Sequence, residues 1–166
     1  MFLSTLKSEY LNLITKMEKL LILSCSNTKN KSVNSLPAIE CYDGINYRVI
    51  RKSFREKNIE NLDIAIISAK YGLLNPADTI EYYDMKMTKQ RALDLRQELL
   101  YKLKNLLVTK DYSEIFVNLG KNYLLAIDGF EEHLSNDQIL IYAKGGIGQK
   151  ASQMKKWILG LNPEFN

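Results

Sequence analysis

The sequence is poor in the residues on which many catalytic and structural sites depend, with one histidine and two cysteines among 166 residues. His133 lies in the polar segment EEHLSND, which is typical of a solvated loop or helix end, and this excludes a histidine-based triad. Cys25 and Cys41 are too few for a disulfide framework and lack the paired spacing of a zinc site. We therefore predict no metal, no cofactor and a reducing, cytoplasmic environment.

Long apolar runs are also absent. No stretch approaches the roughly 20 residues that cross a bilayer, and residues 1–16 lack the apolar region and cleavage site of a signal peptide. We expect a cytoplasmic protein without a membrane partner. Because MEKLLILSC from Met17 reads as a start followed at once by a strand, residues 1–16 are predicted to be a leader or an amphipathic helix outside the core.

Neither charge nor composition is extreme. The chain has 23 basic and 19 acidic residues, for a net charge of +4, which permits contact with phosphate groups without requiring it. A hydrophobic content of 46% and a length of 166 residues are ordinary for one globular domain. The domain is predicted to cover residues 17–166, and the sequence leaves its oligomeric state open.

Apolar runs of strand length alternate with stretches of helical period. The predicted strands are residues 20–24, 63–69, 114–119 and 138–143, and the predicted helices are residues 45–58, 88–107 with Thr88 as its cap, 121–134, and a last helix that follows the glycines at 145–148 and ends near 161. Strands that are apolar on both faces and separated by helices indicate a parallel sheet covered on both sides. We therefore predict a single α/β domain, with a mostly parallel four- to five-stranded sheet and helices on both faces.

The carboxyl ends of the four predicted strands carry the polar loops SCSNTK, SAKYGLLNP, NLGKNY and AKGGIGQK. In parallel sheets ligands bind at these ends, so we expect the loops to share one cleft. Backbone and hydroxyl donors in SCSNTK could hold an anion, although the same residues are typical of an ordinary turn. Cys25 is interpreted as a small, partly buried packing residue, with a nucleophile activated by a nearby lysine as the alternative.

The loop after the second strand places a cation at the predicted cleft. An unpaired lysine is costly to bury, so Lys70 should project into the cleft or meet a carboxylate, for which Asp78 and Asp84 are the nearest candidates. A Lys–Asp pair that only holds the loop together is the structural alternative.

Two further features suit a nucleotide. Tyr71, Tyr82 and Tyr83 could stack on a flat ligand such as a nucleobase, or could equally fill the core and its rim. The glycine-rich GGIGQK would place several backbone N–H groups and Lys150 around one anion, although it lacks the spacing of a Walker motif.

Five elements of the sequence occur in a recognisable order: CSNTK, AIECYDG, SAKYGLLNP with YD at 83–84, NLGKNY, and GGIGQKASQMKKWI. With them the chain resembles, from Lys19 to Leu161, a DUF6884-like family of small bacterial and phage proteins whose signature is S-A-K-[HY]-G-L after a strand. It is also distantly similar to the YaaA peroxide-stress proteins through the stretch from Tyr71 to Met87. The YaaA resemblance implies DNA binding and a role in limiting oxidative damage, and similar domains of 7-deazaguanine modification pathways imply a pocket for a base or nucleotide.

The leading hypothesis is a nucleic-acid or nucleotide processing protein, with a base pocket and N-glycosidic bond cleavage of the glycosylase or nucleoside hydrolase type as its reaction. The alternative is a non-catalytic module that binds DNA or a nucleotide in stress response or phage defence, and the sequence leaves open whether the protein is an enzyme. The candidate catalytic residues are Lys70, Asp84 and Asp78. The candidate ligand-binding residues are Cys25, Ser26, Lys29, Tyr42, Tyr71, Gly72, Tyr83, Asn118, Lys121, Tyr123, Gly146, Gly148 and Lys150.

Overall fold

The computed structural model of the chain describes residues 3, 5–9, 17–31 and 34–161. Most of the segment 1–16, predicted to be a leader or an amphipathic helix, lies outside the described residues. Within it, residues 5–9 are helical, and the side chains of Leu3 and Leu6 are exposed. Among the described residues, no helix is both long and apolar enough to cross a membrane.

Five strands form a central sheet in which all strands but one are parallel. The strands of the chain are β1 (Glu18–Ser24), β2 (Leu36–Pro37), β3 (Leu62–Ser68), β4 (Gly72–Leu74), β5 (Thr79–Ile80), β6 (Tyr112–Asn118) and β7 (Ile139–Tyr142). The central sheet has the order β4-β3-β1-β6-β7, with β4 antiparallel to β3, while β2 and β5 form a separate two-stranded ribbon. The predicted α/β fold with a mostly parallel sheet is confirmed.

The helices cover both faces of this sheet, as predicted. They are α1 (Ala38–Cys41), α2 (Ile45–Glu56), α3 (Lys89–Thr109), α4 (Lys121–Ala126) and α5 (Ile147–Ile158), with a 3-10 turn at Phe130–His133. Alternate residues of β1 point into two separate cores, because successive side chains of a strand face opposite sides of its sheet. Leu20 and Ile22 pack with α3 and α4, whereas Leu21 and Leu23 pack with α2 and α5. All four leucine and isoleucine side chains are fully buried.

Thr88 caps α3, as the sequence predicts. Its side-chain oxygen accepts a hydrogen bond from the backbone N–H of Arg91 at 3.1 Å, which satisfies one of the amide groups that an α-helix leaves without a partner at its start. The predicted helix 121–134 is wrong as one element. It ends at Ala126 and resumes as the 3-10 turn after Gly129, whose φ of 98° is left-handed and interrupts the helix.

The segment SAKYGLLNP, predicted to be a turn after a strand, contains a short strand of its own. Residues 69–71 form a tight turn, and Gly72, with a φ of 73°, begins β4, which pairs back on β3. Ser68 stabilises this hairpin, because its Oγ accepts the backbone N–H of Lys70 at 3.2 Å and of Tyr71 at 3.1 Å.

The strand order reverses between β1 and β6. From β1 the chain moves to β3 on one side of the sheet, and from β6 it moves to β7 on the other side. In open parallel sheets such a point leaves a crevice outside the carboxyl ends of the two strands, because their following loops turn away in opposite directions. The topology therefore predicts a ligand crevice beside Ser24 and Asn118, the last residues of β1 and β6.

Candidate functional site

A cavity of about 560 Å³ occupies this crevice. Four segments surround it: the loop after β1, the first turn of α2, the loop after β6, and the glycine-rich loop that begins α5. The lining residues are Ser24, Cys25, Ser26, Asn27, Thr28, Gly44, Ile45, Asn46, Tyr47, Asn118, Leu119, Gly120, Tyr123, Gly145, Gly146, Ile147 and Lys150. Its size lies within the usual range of small-molecule sites, roughly 300–1,000 Å³.

Two long helices begin at the cavity with a glycine at the N-cap, and at α5 the Gln149 side chain accepts the backbone N–H of Gly146 at 2.8 Å. Gly44 is the N-cap of α2 and Gly146 is the N-cap of α5, and glycine has no side chain that could accept the first amide groups of the helix. At Gly44 the backbone also approaches the β1 loop closely, since an added Cβ would lie 2.4 Å from Ser26 Oγ. The positive ends of both helix dipoles therefore face the same space, which favours an anion there.

Lys150 adds a full positive charge to the same wall. Its half-buried side chain lines the cavity, and Nζ donates a hydrogen bond to the backbone carbonyl of Leu119 at 2.8 Å. An ammonium group carries three N–H donors, so this bond fixes the side chain and leaves further donors for a ligand.

Two amide side chains meet at the floor of the cavity. Asn118 is only 3% exposed, and its Nδ2 donates to Asn46 Oδ1 at 3.2 Å and to Met154 Sδ at 3.5 Å. Both bonds use the amide nitrogen of Asn118, which leaves its carbonyl oxygen to accept a hydrogen bond from a ligand. Such a buried carbonyl oxygen gives specificity for the ligand. A ligand without a matching hydrogen-bond donor would leave this oxygen unpaired, which costs free energy of binding.

The thiol of Cys25 lies at the cavity wall next to two phenols. Its Sγ is 3.0 Å from the hydroxyl of Tyr123, and it also borders the hydroxyl of Tyr83. Burial raises the pKa of the Tyr123 phenol well above its ordinary value, and the adjacent thiol raises it further. Tyr123 is therefore a neutral hydroxyl at physiological pH and can donate a hydrogen bond, and it contacts the Cys25 thiol at the cavity wall.

A buried hydroxyl cluster supports this wall from behind. The hydroxyls of Tyr42 and Tyr83 lie 2.6 Å apart, and the Ser68 hydroxyl lies 2.8 Å from that of Tyr83 and accepts from Tyr42 at 3.3 Å. Burial raises the pKa of both phenols far above the ordinary value of tyrosine. The cluster joins the β3–β4 hairpin to the segments that carry Tyr42 and Tyr83, and so fixes the shape of this side of the site.

The structure brings only some of the predicted site residues to the cavity. Those that line it are Cys25, Ser26, Asn118, Tyr123, Gly146 and Lys150. A second group surrounds the hydroxyl cluster and comprises Lys29, Tyr42, Lys70, Tyr71 and Tyr83. The predicted site therefore divides into two neighbouring parts. Gly72, Lys121 and Gly148 line neither part: Gly72 is buried at the start of β4, and Lys121 and Gly148 are exposed.

The predicted catalytic residues are not among the residues that line the cavity. The Lys70 ammonium lies 4.9 Å from the ring centroid of Tyr71, and among the described residues it makes no ion pair with Asp78 or Asp84. Asp78 is half-buried and closes a local turn by accepting the backbone N–H of Asn75 at 2.7 Å, and Asp84 is exposed. Their catalytic role stays a prediction that the cavity geometry does not support.

Tyr83 is also placed differently from the expectation that it stacks on a ligand. Its side chain is 6% exposed, and both its hydroxyl and its ring edges are engaged by Tyr42 and Tyr71. The neighbouring Tyr82 is 49% exposed, so its ring is the more accessible of the pair. Successive side chains of an extended segment face opposite directions, so one of two adjacent tyrosines is buried when the other is exposed. The sequence YY alone does not show which of Tyr82 and Tyr83 faces solvent.

Sequence reasoning missed Gly44, Asn46 and Gly120, which line the cavity. A signal was present, because a glycine directly precedes the first residue of α2, α4 and α5 alike. Since Ser, Thr, Asp and Asn are the commoner caps, a repeated glycine at this position indicates helix starts whose first amide groups are not occupied by the side chain of the N-cap residue.

A larger cavity, of about 760 Å³, lies at the opposite end of β3. It is mostly apolar, with Ile50, Phe54, Leu62 and Ile64 in its wall, and its polar groups include the ion pair of Asp63 with Lys110 at 2.6 Å. We assign the ligand site to the smaller cavity because polar donors and two helix starts converge there, at the edge of the sheet where the strand order reverses.

Comparison with known proteins identifies the family of the chain and supports its fold. Residues 20–156 match the model of DUF6884, a family of unknown function. The chain belongs to the DUF6884 family. Among solved structures, this DUF6884 protein is similar to AF0587, a protein of unknown function known from a crystal structure, with a TM-score of 0.51 and 13% sequence identity.

The aligned region covers 91% of this chain and 46% of AF0587, so the chain spans about half the length of that protein. At this identity the likeness shows the fold alone. No curated protein matches this member of the DUF6884 family.

The two cysteines of this DUF6884 protein allow a chemical check on the cavity. Cys25 is half-buried at the cavity wall, whereas Cys41 is 1% exposed, and burial raises the pKa of the Cys41 thiol. We expect iodoacetamide to modify Cys25 at least about tenfold faster than Cys41 in the native protein, because alkylation requires an accessible thiolate. Peptide mass mapping over a time course measures both rates, with Cys25→Ser and Cys41→Ser as the assignment controls. Equal rates would show that the cavity does not open to solvent at Cys25.

Proposed function

We propose that the protein binds a nucleotide in the cavity at the carboxyl edge of β1 and β6. The observation that carries the proposal is the convergence on one cavity of the Lys150 ammonium and the starts of α2 and α5, both of which have glycine as the N-cap. Lysine and the first turn of a helix are two of the commonest phosphate ligands in proteins, and here they share one volume.

The rest of the wall suits the base and sugar of a nucleotide. Asn118 keeps a carbonyl oxygen for hydrogen bonding, and the half-buried ring of Tyr123 lines the same cavity. Amide groups that read a base edge, together with an aromatic ring against its face, are the usual elements of base recognition. The phosphate is assigned to the end near Lys150, and the base to the floor near the amide pair.

Processing of the bound nucleotide is a second candidate function, favoured by the Cys25 thiol at 3.0 Å from the Tyr123 hydroxyl. In the cleavage of an N-glycosidic bond, an S–C1′ bond forms as the C1′–N bond breaks. The thiol proton passes to the Tyr123 oxygen, while the Tyr123 proton passes to the departing base. Water then hydrolyses the thioglycoside and restores the thiol. None of the described residues that line this cavity carries a carboxylate, so we propose Cys25 for this step and not Asp78 or Asp84.

Calorimetric titration tests nucleotide binding directly. The probes are the four common nucleoside monophosphates, the four nucleosides and inorganic phosphate. We expect at least one monophosphate to bind at least about tenfold more tightly than its nucleoside, because only the monophosphate can reach Lys150 and the helix starts. If no monophosphate binds, or if phosphate adds nothing to the affinity of the nucleoside, the proposed function is wrong.

Release of free base tests the second candidate. The protein is incubated with each nucleotide, and free base is measured by chromatography for the native chain, Cys25→Ser and Asp84→Asn. The thiol mechanism predicts release that is lost in Cys25→Ser and kept in Asp84→Asn. The opposite pattern would restore the carboxylate assignment made from the sequence, and no release from the native chain would leave binding as the function.

A further inference from the structure

A cluster of lysines and tyrosines lies beside the cavity and has no role in the proposed nucleotide site. The Nζ of Lys29 is 4.3 Å from the ring centroid of Tyr83, and the Nζ of Lys70 is 5.6 Å from the same centroid. The Nζ of Lys31 is 6.0 Å from the ring centroid of Tyr82. We call the group formed by the exposed Lys31, Lys70 and Tyr82 and the half-buried Lys29 and Tyr71 the lysine–tyrosine surface.

Contact with aromatic rings fixes these charges without cancelling them. A ring attracts an ammonium group through its quadrupole, so the lysine stays in place but keeps its full charge, whereas a carboxylate partner would neutralise it. Among the described residues, Lys29, Lys31 and Lys70 make no ion pair. Because Lys29 and Lys70 both lie within 6 Å of one ring centroid, their mutual repulsion favours the arrival of an anion.

Apolar and aromatic groups are exposed on the same surface. Tyr82 is 49% exposed and Met85 is 41% exposed, in a segment that the buried Tyr83 and Met87 attach to the core. An exposed ring next to fixed cations is the combination by which proteins bind single-stranded nucleic acid, since bases stack on the ring and phosphates meet the cations.

The surface is continuous with the cavity through the loop that follows β1. Residues 25–28 of this loop line the cavity, and Lys29 and Lys31 of the same loop lie over the tyrosines. Cys25 borders both the cavity and Tyr83. A strand that lies on the surface would therefore have its next nucleotide at the mouth of the cavity.

From these contacts we propose that the ligand of the cavity is one nucleotide of a single-stranded nucleic acid, whose neighbouring nucleotides lie on the lysine–tyrosine surface. The inference rests on the proposed function, because it takes the cavity to be the nucleotide site. It narrows the substrate class from a free mononucleotide to an unpaired stretch of polynucleotide. A duplex fits less well, because its paired bases cannot reach Tyr82 or enter the cavity.

Two carboxylates beside the lysine–tyrosine surface oppose the binding of a phosphate backbone and provide a further test of the proposal. Glu81 and Asp84 flank the tyrosine pair, and both are exposed. Residues 84–86 are all exposed between the buried Tyr83 and Met87, so Asp84 faces solvent two positions after Tyr82. Its negative charge repels a phosphate backbone there. Replacing Asp84 with asparagine should therefore tighten the binding of a strand, whereas a catalytic Asp84 would leave binding unchanged and abolish turnover.

Fluorescence anisotropy with a labelled single-stranded oligothymidylate tests the proposal, with titration of the matching monophosphate in parallel. Tyr82→Ala should weaken strand binding at least about fivefold, because one stacked base is lost, and should leave the affinity for the monophosphate unchanged. Tyr101→Ala is the matched control, since Tyr101 is 66% exposed on α3 outside this surface. The double variant Lys31→Met and Lys70→Met should reduce the salt dependence of strand binding by about 0.7 for each phosphate group that the protein no longer neutralises.

The parallel titrations separate failure of the inference from failure of the proposed function. Monophosphate binding without tighter binding of the strand would overturn the inference and leave the nucleotide site in place. The inference would also be wrong if Tyr82→Ala and Tyr101→Ala weaken strand binding equally, or if a duplex of the same sequence binds as well as the strand. Absence of monophosphate binding would instead remove the proposed function.

Discussion

Replacing Ser68 with alanine is expected to lower the free energy of unfolding by about 2–3 kcal/mol, although the change removes only one oxygen atom. That oxygen is fully buried and lies within hydrogen-bond distance of four groups: the hydroxyl of Tyr42 and the backbone N–H groups of Lys70 and Tyr71, which donate to it, and the hydroxyl of Tyr83. The two phenol hydroxyls still contact each other, but the two part-buried backbone donors lose their partner, and each donor that water does not reach then costs about 1–3 kcal/mol.

Ser53 provides the matched control. It is 1% exposed, like Ser68, but its hydroxyl has no hydrogen-bond partner among the described residues. Ser53→Ala removes an unpaired buried hydroxyl and introduces a better helix former in α2, so stability should be unchanged or rise by about 1 kcal/mol. Urea unfolding, followed by circular dichroism, measures both variants. Equal losses in the two variants would show that the hydroxyl cluster does not stabilise the fold.

Replacing Lys150 with methionine should weaken monophosphate binding by roughly 10- to 100-fold, which corresponds to the loss of one charge-assisted hydrogen bond of about 1.5–3 kcal/mol. Methionine keeps the apolar stem that packs at the cavity wall and removes the ammonium group. Nucleoside binding should change little, because a nucleoside has no phosphate for Lys150 to bind.

Lys155→Met is the control for this prediction. Lys155 lies on α5 as well, but its side chain is exposed and does not line the cavity. Both variants lower the net charge by the same amount, so a general electrostatic effect would weaken binding equally in both. Titration calorimetry at one salt concentration separates the two cases, and a similar loss in Lys155→Met would refute the local role of Lys150.

The architecture follows from the sequence because it depends on patterns that repeat over many residues. Strand β1 is a run of leucine and isoleucine that is apolar on both faces, and only a sheet covered on both sides can bury it. The cap at Thr88 follows equally from local chemistry. Strand β4 was not predicted from the sequence, because three residues are too few for a periodic signal. Its pairing with β3 also depends on the turn at residues 69–71.

The composition of the site is less predictable because it depends on where the chain goes after each loop. Asp84 and Cys25 both adjoin the carboxyl edge of the sheet, yet only Cys25 lines the cavity. The difference arises because β4 returns along β3 and carries the segment after it to the outer side of the hydroxyl cluster. The sequence identifies the loops that share the edge but not the partition of their side chains between cavity, core and surface.

The most direct test of the account is a crystal structure of the protein soaked with the nucleoside monophosphate that binds most tightly in solution. The account predicts the phosphate at the first turns of α2 and α5 within hydrogen-bond distance of Lys150 Nζ, and the base beside Asn118. A nucleotide bound in the apolar cavity near Leu62, or an empty crevice between β1 and β6 at saturating ligand, would contradict it.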